Sequence, residues 1–135
     1  MVENKKILIA DDSATFRSSF VRILKNLPFA GEVVEAKDGE SAIQSARQHL
    51  PDLIFMDITM PGLSGIEATR RILGEFPETK IVMVTVHANR ALLKESLEAG
   101  ASGYLIKKDI YMELAPAVEK IMNNEQFISE EIRDL

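Results

Sequence analysis

The sequence predicts an α/β protein built on one doubly wound parallel sheet of five strands, (βα)5. Three observations carry that expectation. Short apolar runs recur five times along the chain, at 7–10, 33–36, 53–56, 81–84 and 104–106. Each is followed by a stretch whose apolar residues fall at helical spacing. Most of the runs are apolar at consecutive positions, so both faces of the strand need cover, which calls for helices on both sides of parallel strands.

The elements follow in order. Ile7-Leu8-Ile9-Ala10 reads as a buried strand. Asp12 or Ser13 can cap the next helix, whose apolar positions are Phe16, Phe20, Ile23, Leu24 and Leu27, and Pro28 stops it. Val33-Val34-Glu35-Ala36 carries a charge and is expected near a sheet edge. Asp38-Gly39 opens a helix that runs through Ala42, Ile43 and Ala46 to His49, before Pro51. Leu53-Ile54-Phe55-Met56 is the clearest strand, followed by a loop with Pro61 and Gly62 and a helix over 65–76. Ile81-Val82-Met83-Val84 precedes a helix marked by Leu92, Leu93 and Leu97 and ended by Gly100. Tyr104-Leu105-Ile106 is the fifth strand, and the last helix spans about 110–122. Pro116 falls inside it, where an interior proline costs about 3 kcal/mol, so a kink or a late helix start is expected. Right-handed crossovers leave few topologies. The commonest, the flavodoxin-like order 2-1-3-4-5, is adopted from precedent, with the site at the carboxyl ends of the strands.

Length and composition narrow the function classes. A chain of 135 residues suits one domain, since domains hold roughly 100–200 residues. A net charge of −5 argues against nucleic-acid binding by this chain and against a polybasic membrane anchor. The absence of cysteine removes disulfides, thiolate zinc sites and cysteine nucleophiles. His49 and His87 match no zinc spacing. No apolar run approaches the length of a membrane span, and the start of the chain lacks a signal-peptide core, so the cytoplasm is the expected compartment.

The strand ends carry the chemistry. Asp11 and Asp12 follow the first strand, Asp57 the third, Thr85 ends the fourth and Lys107 follows the fifth. Each has an ordinary reading alone: an N-cap for Asp12, turn chemistry for Asp57, a β-branched strand residue for Thr85, a solvated terminus for Lys107. A parallel sheet, however, places them all on one rim. Two carboxylates about 4 Å apart repel by roughly 4 kcal/mol at an effective dielectric of 20. Three need a counter-charge, which Lys107 and a divalent cation would supply. Carboxylates, water and a carbonyl suit Mg²⁺, which keeps open positions for a phosphoryl oxygen. A carboxylate can itself be the nucleophile, giving an aspartyl phosphate.

With Asp11-Asp12, Asp57-Ile58-Thr59-Met60-Pro61-Gly62-Leu63-Ser64-Gly65, Thr85 and Gly100-Ala101-Ser102-Gly103-Tyr104-Leu105-Ile106-Lys107, the chain resembles the receiver domain of two-component response regulators. The resemblance runs from about residue 6 to about 122. It implies a receiver over 1–124, with 125–135 a tail or the start of an interdomain linker. It implies that Asp57 accepts a phosphoryl group from a sensor histidine kinase, and that Asp11, Asp12, Asp57 and the Thr59 carbonyl hold Mg²⁺. Lys107 would pair with the phosphoryl oxygens, Thr85 would bond them, and Tyr104 would reorient with Thr85. Gly62 and Gly65 would shape the loop after the site. The module would promote only its own phosphotransfer and autodephosphorylation, and is expected to be no enzyme otherwise. A homodimer, or an output domain, would use the face of the fourth helix, fifth strand and fifth helix, around Leu92, Leu93, Leu97, Tyr104 and Tyr111.

Departures from the common receiver pattern are specific. Lys108 stands where many receivers have proline, and a non-proline cis peptide costs about 3 kcal/mol. Val86 stands where Ala or Gly is frequent, and its bulk is expected to restrict access. Thr59 and His87 occupy positions that vary among receivers and tune dephosphorylation. The proline-free Gly103-Tyr104-Leu105-Ile106-Lys107, together with Glu67-Ala68-Thr69-Arg70-Arg71 and Glu125-Gln126-Phe127-Ile128-Ser129, resembles receivers that precede a LuxR-type helix-turn-helix output domain, so the chain is expected to switch a DNA-binding output domain or to act as a stand-alone receiver. A Mg²⁺-dependent phosphohydrolase would want an acid two residues after its nucleophile, where Thr59 stands. A flavin carrier would want a phosphate-cradling loop where Asp11-Asp12 stands.

Overall fold

A computed structural model describes residues 2–133. Strands β1 (Lys5–Ala10), β2 (Ala30–Ala36), β3 (Leu53–Met56), β4 (Lys80–Thr85) and β5 (Gly103–Ile106) alternate with helices α1 (Ala14–Lys25), α2 (Gly39–His49), α3 (Gly65–Glu75), α4 (Arg90–Glu98) and α5 (Ile110–Met122). Beyond them come a short strand, β6 (Phe127–Ile128), and a one-turn helix, α6 (Glu130–Arg133). The sheet is parallel, in the order β2-β1-β3-β4-β5-β6.

The expected five-stranded sheet is therefore corrected to six. A two-residue strand has no periodicity to read, and it forms because β5 would otherwise leave its outer backbone groups unpaired. Phe127 N–H donates to Ser102 C=O at 3.2 Å and Ser129 N–H to Tyr104 C=O at 2.9 Å. Of the expected tail over 125–135, residues 134 and 135 lie outside the described residues.

Strand alternation splits the core in two. Leu8, Ile54, Met56, Ile81, Met83, Tyr104 and Ile106 face α2, α3 and α4. Ile7, Ile9, Leu53, Phe55, Val82, Val84 and Leu105 face α1 and α5. β2 lies at the edge, as its charge suggested. Ser13, not Asp12, caps α1, its side chain accepting from Phe16 N–H at 3.1 Å, which leaves the Asp12 carboxylate free for the rim. Asp38 and Ser41 cap α2 reciprocally.

Of the kink or late start expected for the last helix, the late start does not occur. The helix begins at Ile110 and passes through Pro116. Pro116 sits on the exposed side, one turn after Met112, itself 85% exposed, so the carbonyl that proline leaves unbonded opens to water. No peptide bond among the described residues is cis, that between Lys107 and Lys108 included.

Candidate functional site

The carboxyl rim gathers the expected residues, and strand alternation sorts them. Asp11, Asp57 and Lys107 each continue the phase of the residues facing α1 and α5. Thr85 and Tyr104 share the phase facing α2, α3 and α4. The ladder carries past the strand ends: Asp57 N–H donates to Ala10 C=O at 2.9 Å and Asp11 N–H to Ala36 C=O at 3.1 Å.

On the charged side, carboxylate oxygens of Asp11, Asp12 and Asp57 lie within 4.8 Å of one another. Asp11 and Asp57 are buried and Asp12 is exposed. Lys107 Nζ stands 2.7 Å from Asp11 Oδ2 and 3.7 Å from Asp57 Oδ2. The closer contact lacks hydrogen-bond geometry, so the buried Asp11 Oδ2 has charge beside it but no donor aimed at it. The other Asp11 oxygen accepts from Ser13 N–H at 2.8 Å. Burial pushes the Asp57 carboxyl up to about 6, and the neighbouring Asp11 charge adds to this, while Lys107 and the Thr59 N–H pull the other way. Three carboxylates against one lysine leave the rim short of positive charge. An orphaned buried oxygen in such a set is what a hard divalent cation relieves, so the residues fit Mg²⁺.

Three contacts near the rim carry no signal in the sequence. Lys107 Nζ lies 4.1 Å from the centre of the Phe16 ring, a residue read only as core. Arg17 donates from Nη1 to Asp11 C=O at 2.6 Å and from Nε to Glu35 at 3.0 Å, tying the acidic turn to β2. Nothing in a surface-phase arginine on α1 signals that reach. The loop after Asp57 depends on Gly65, where a Cβ would sit 1.8 Å from Asp57 C=O. Gly65 N–H closes the loop onto Ile58 C=O at 2.9 Å, and Gly62 takes φ +76° at the turn.

On the other side the polar groups are satisfied. Thr85 is fully buried, and its Oγ1 accepts from His87 N–H at 3.2 Å. Tyr104 is fully buried with its ring inward, and its OH donates to His87 C=O at 2.7 Å. Burial pushes this phenol up to about 12. The His87 ring reaches Thr59 Oγ1 at 3.5 Å, so the two variable positions touch. Val86 projects outward, 66% exposed. Of the expected partner face, Tyr111 is 74% exposed and Leu92 and Leu97 are half-buried, whereas Leu93 and Tyr104 are interior.

The family model for the response regulator receiver domain matches residues 7–119. The chain belongs to that family. Among curated relatives of this receiver, the response regulator UvrY of Escherichia coli is 35% identical over 126 residues, 93% of this chain and 58% of that protein. The transcriptional regulatory protein DegU of Brevibacillus brevis is 36% identical, over 93% of this chain and 54% of that one. The receiver thus spans little more than half the length of these relatives. A solved LuxR-family two-component response regulator from Aurantimonas is 34% identical and superimposes with a TM-score of 0.92, covering 98% of this chain and 94% of that one. Among the described residues no helix is long and apolar enough to cross a membrane.

Proposed function

We propose that this receiver accepts a phosphoryl group on Asp57 from the phosphohistidine of a sensor histidine kinase. The convergence of Asp11, Asp12, Asp57 and Lys107 at one rim carries the reading. An Asp57 oxygen attacks phosphorus, the P–O bond forms as the P–N bond breaks, and the imidazole leaves with the electron pair. Asp11, Asp12, Asp57 and the Thr59 carbonyl would hold Mg²⁺, which when bound neutralises charge on the transferring group. Lys107 pairs with the phosphoryl oxygens. Phe16 and Asp11 keep its amine at the rim meanwhile. The Thr85 hydroxyl donates to the new group, and Tyr104, already inward and bonded to His87 C=O, is held there through their shared partner, His87.

The module catalyses nothing beyond its own phosphotransfer and dephosphorylation. It works in the cytoplasm as a receiver domain over 1–124, with 125–135 a tail or the start of an interdomain linker; its likeness to a transcriptional regulatory protein, DegU, of which it spans 54%, favours the linker and an output domain that controls transcription. A second copy or an output domain meets the exposed surfaces of α4 and α5, because residues 127–128 pair along the outer edge of β5. The test is intact-mass spectrometry after acetyl phosphate and Mg²⁺. A labile gain of about 80 Da is expected, absent in Asp57→Asn. A gain that persists in that variant, or a stable adduct on Ser or Thr, refutes the assignment.

A further inference from the structure

The segment after α5 is fastened well beyond what two ladder bonds provide. Ser129 is fully buried, and its Oγ accepts from Ile106 N–H at 2.9 Å while donating to Glu113 Oε1 at 2.5 Å. Glu113 Oε2 also accepts from Glu130 N–H at 3.0 Å. Glu131 pairs with Lys108 at 2.5 Å. Phe127 belongs to the core facing α1 and α5, whereas Ile132, fully buried, belongs to the cluster that holds Tyr104 and Ile106. The segment therefore crosses the outer edge of β5 from one face of the sheet to the other. Its anchors on β5 and just after it are Tyr104 C=O, Ile106 N–H and the Lys108 side chain, which bracket Lys107.

We infer that residues 127–133 form a strap whose docking on β5 is coupled to the rim, the docked strap favouring inward Tyr104 and therefore tighter binding of a phosphoryl-like ligand. The inference rests on the reading of Asp57 and Tyr104 given above. The physical element is the chamber around the Tyr104 ring. Its ring is fully buried, Ile128 lies opposite it in the β5–β6 register and packs on the cluster that holds the ring, and Ile132 belongs to that cluster, so the docked strap covers this side of it. With the strap released, that cover and the bond on Tyr104 C=O are both lost, and an outward ring costs less. A ligand that draws Thr85 toward the rim favours the inward ring. By linkage it also favours the docked strap, and each raises the affinity of the other by the same factor. A strap that docks and releases in this way would reposition any chain fused after it. A purely static cover over the β5 edge would show no such coupling.

The experiment uses the whole chain, with beryllofluoride and Mg²⁺ as the phosphoryl mimic. Amide hydrogen exchange over 127–133 is followed in the wild type, and beryllofluoride affinity is titrated in the wild type, Ser129→Ala and Ile132→Ala. Exchange in the wild-type strap is expected to slow as beryllofluoride saturates. The variants are expected to exchange faster there and to bind the mimic about fivefold or more weakly. Wild-type strap amides that do not respond to saturating mimic overturn the inference without recourse to any variant. So does a released strap with unchanged affinity, and so does a strap that stays fully protected in both variants. A wild type that binds no beryllofluoride overturns the reading of the rim as well.

Discussion

The two faces of the sheet finish differently at its carboxyl end. On the face toward α1 and α5, buried carboxylates crowd one lysine and Asp11 Oδ2 is left without a donor. On the face toward α4, the Thr85 and Tyr104 hydroxyls both hold His87. The first arrangement stores electrostatic stress that a ligand can relieve. The second is a satisfied network that changes state only by exchanging partners. A switch needs both: a place where binding is favourable because something is missing, and a place where two complete arrangements can compete.

The largest effect expected of the charged face is its response to Mg²⁺. At a hundredfold excess over Kd, the ion should raise unfolding free energy by about 2.7 kcal/mol, read as the shift between melts with and without it. Asp12→Ala should lose most of that gain. It should also be at least as stable as the wild type without metal, because a repelling charge is gone. Equal Mg²⁺ effects in both proteins would break the comparison.

A smaller effect follows from Asp57 in metal-free buffer. Its folded carboxyl, pushed up to about 6, lies above the ordinary value of 3.8, so the folded state holds the proton more tightly. That preference stabilises the fold below the unfolded pKa and is lost as pH rises from about 3.8 through about 6. Asp57→Asn should therefore exceed the wild type at pH 7 by about 1–2 kcal/mol, after discounting for solvent at the rim. The gap should close on acidification. Urea titrations of both proteins across that range, read as a difference, isolate this group from the other carboxylates.

The smallest effect belongs to the satisfied face. Tyr104→Phe keeps the ring packing and removes the bond to His87 C=O, leaving that carbonyl to find water. The expected cost is about 1 kcal/mol by urea denaturation, nearly independent of Mg²⁺. A strong Mg²⁺ dependence of that cost would show the two faces already coupled before phosphorylation.

Much of this was legible in sequence because it depends on periodicity and on strand ends. Runs such as 81–84 are apolar at every position, and that alone demands two helical layers. The acids and the lysine were findable because a parallel sheet maps the residue after each strand onto one rim. What escaped depends on reach or on brevity. Arg17 spans from α1 to a backbone carbonyl and a glutamate on β2, a matter of rotamer rather than pattern. Ser129 does the work of a strand residue with its side chain, beside a strand too short to leave a signature. Pro116 argued locally for a kink or a late start, and its exposed position let α5 begin at Ile110 and continue through it.

The sheet order bears on how copies of this chain could aggregate. One margin ends in β6, whose two residues offer little backbone to template a neighbour. The other margin is β2, which is longer but carries Glu32 and Glu35, side chains 55% and 46% exposed and paired with Lys6 and Arg17 of the same chain. Laying two such margins together would set acid against acid and pull those pairs apart. Fibre-like growth by strand addition is thus discouraged at both ends of the sheet, and helical surfaces are left as the ground on which copies can meet.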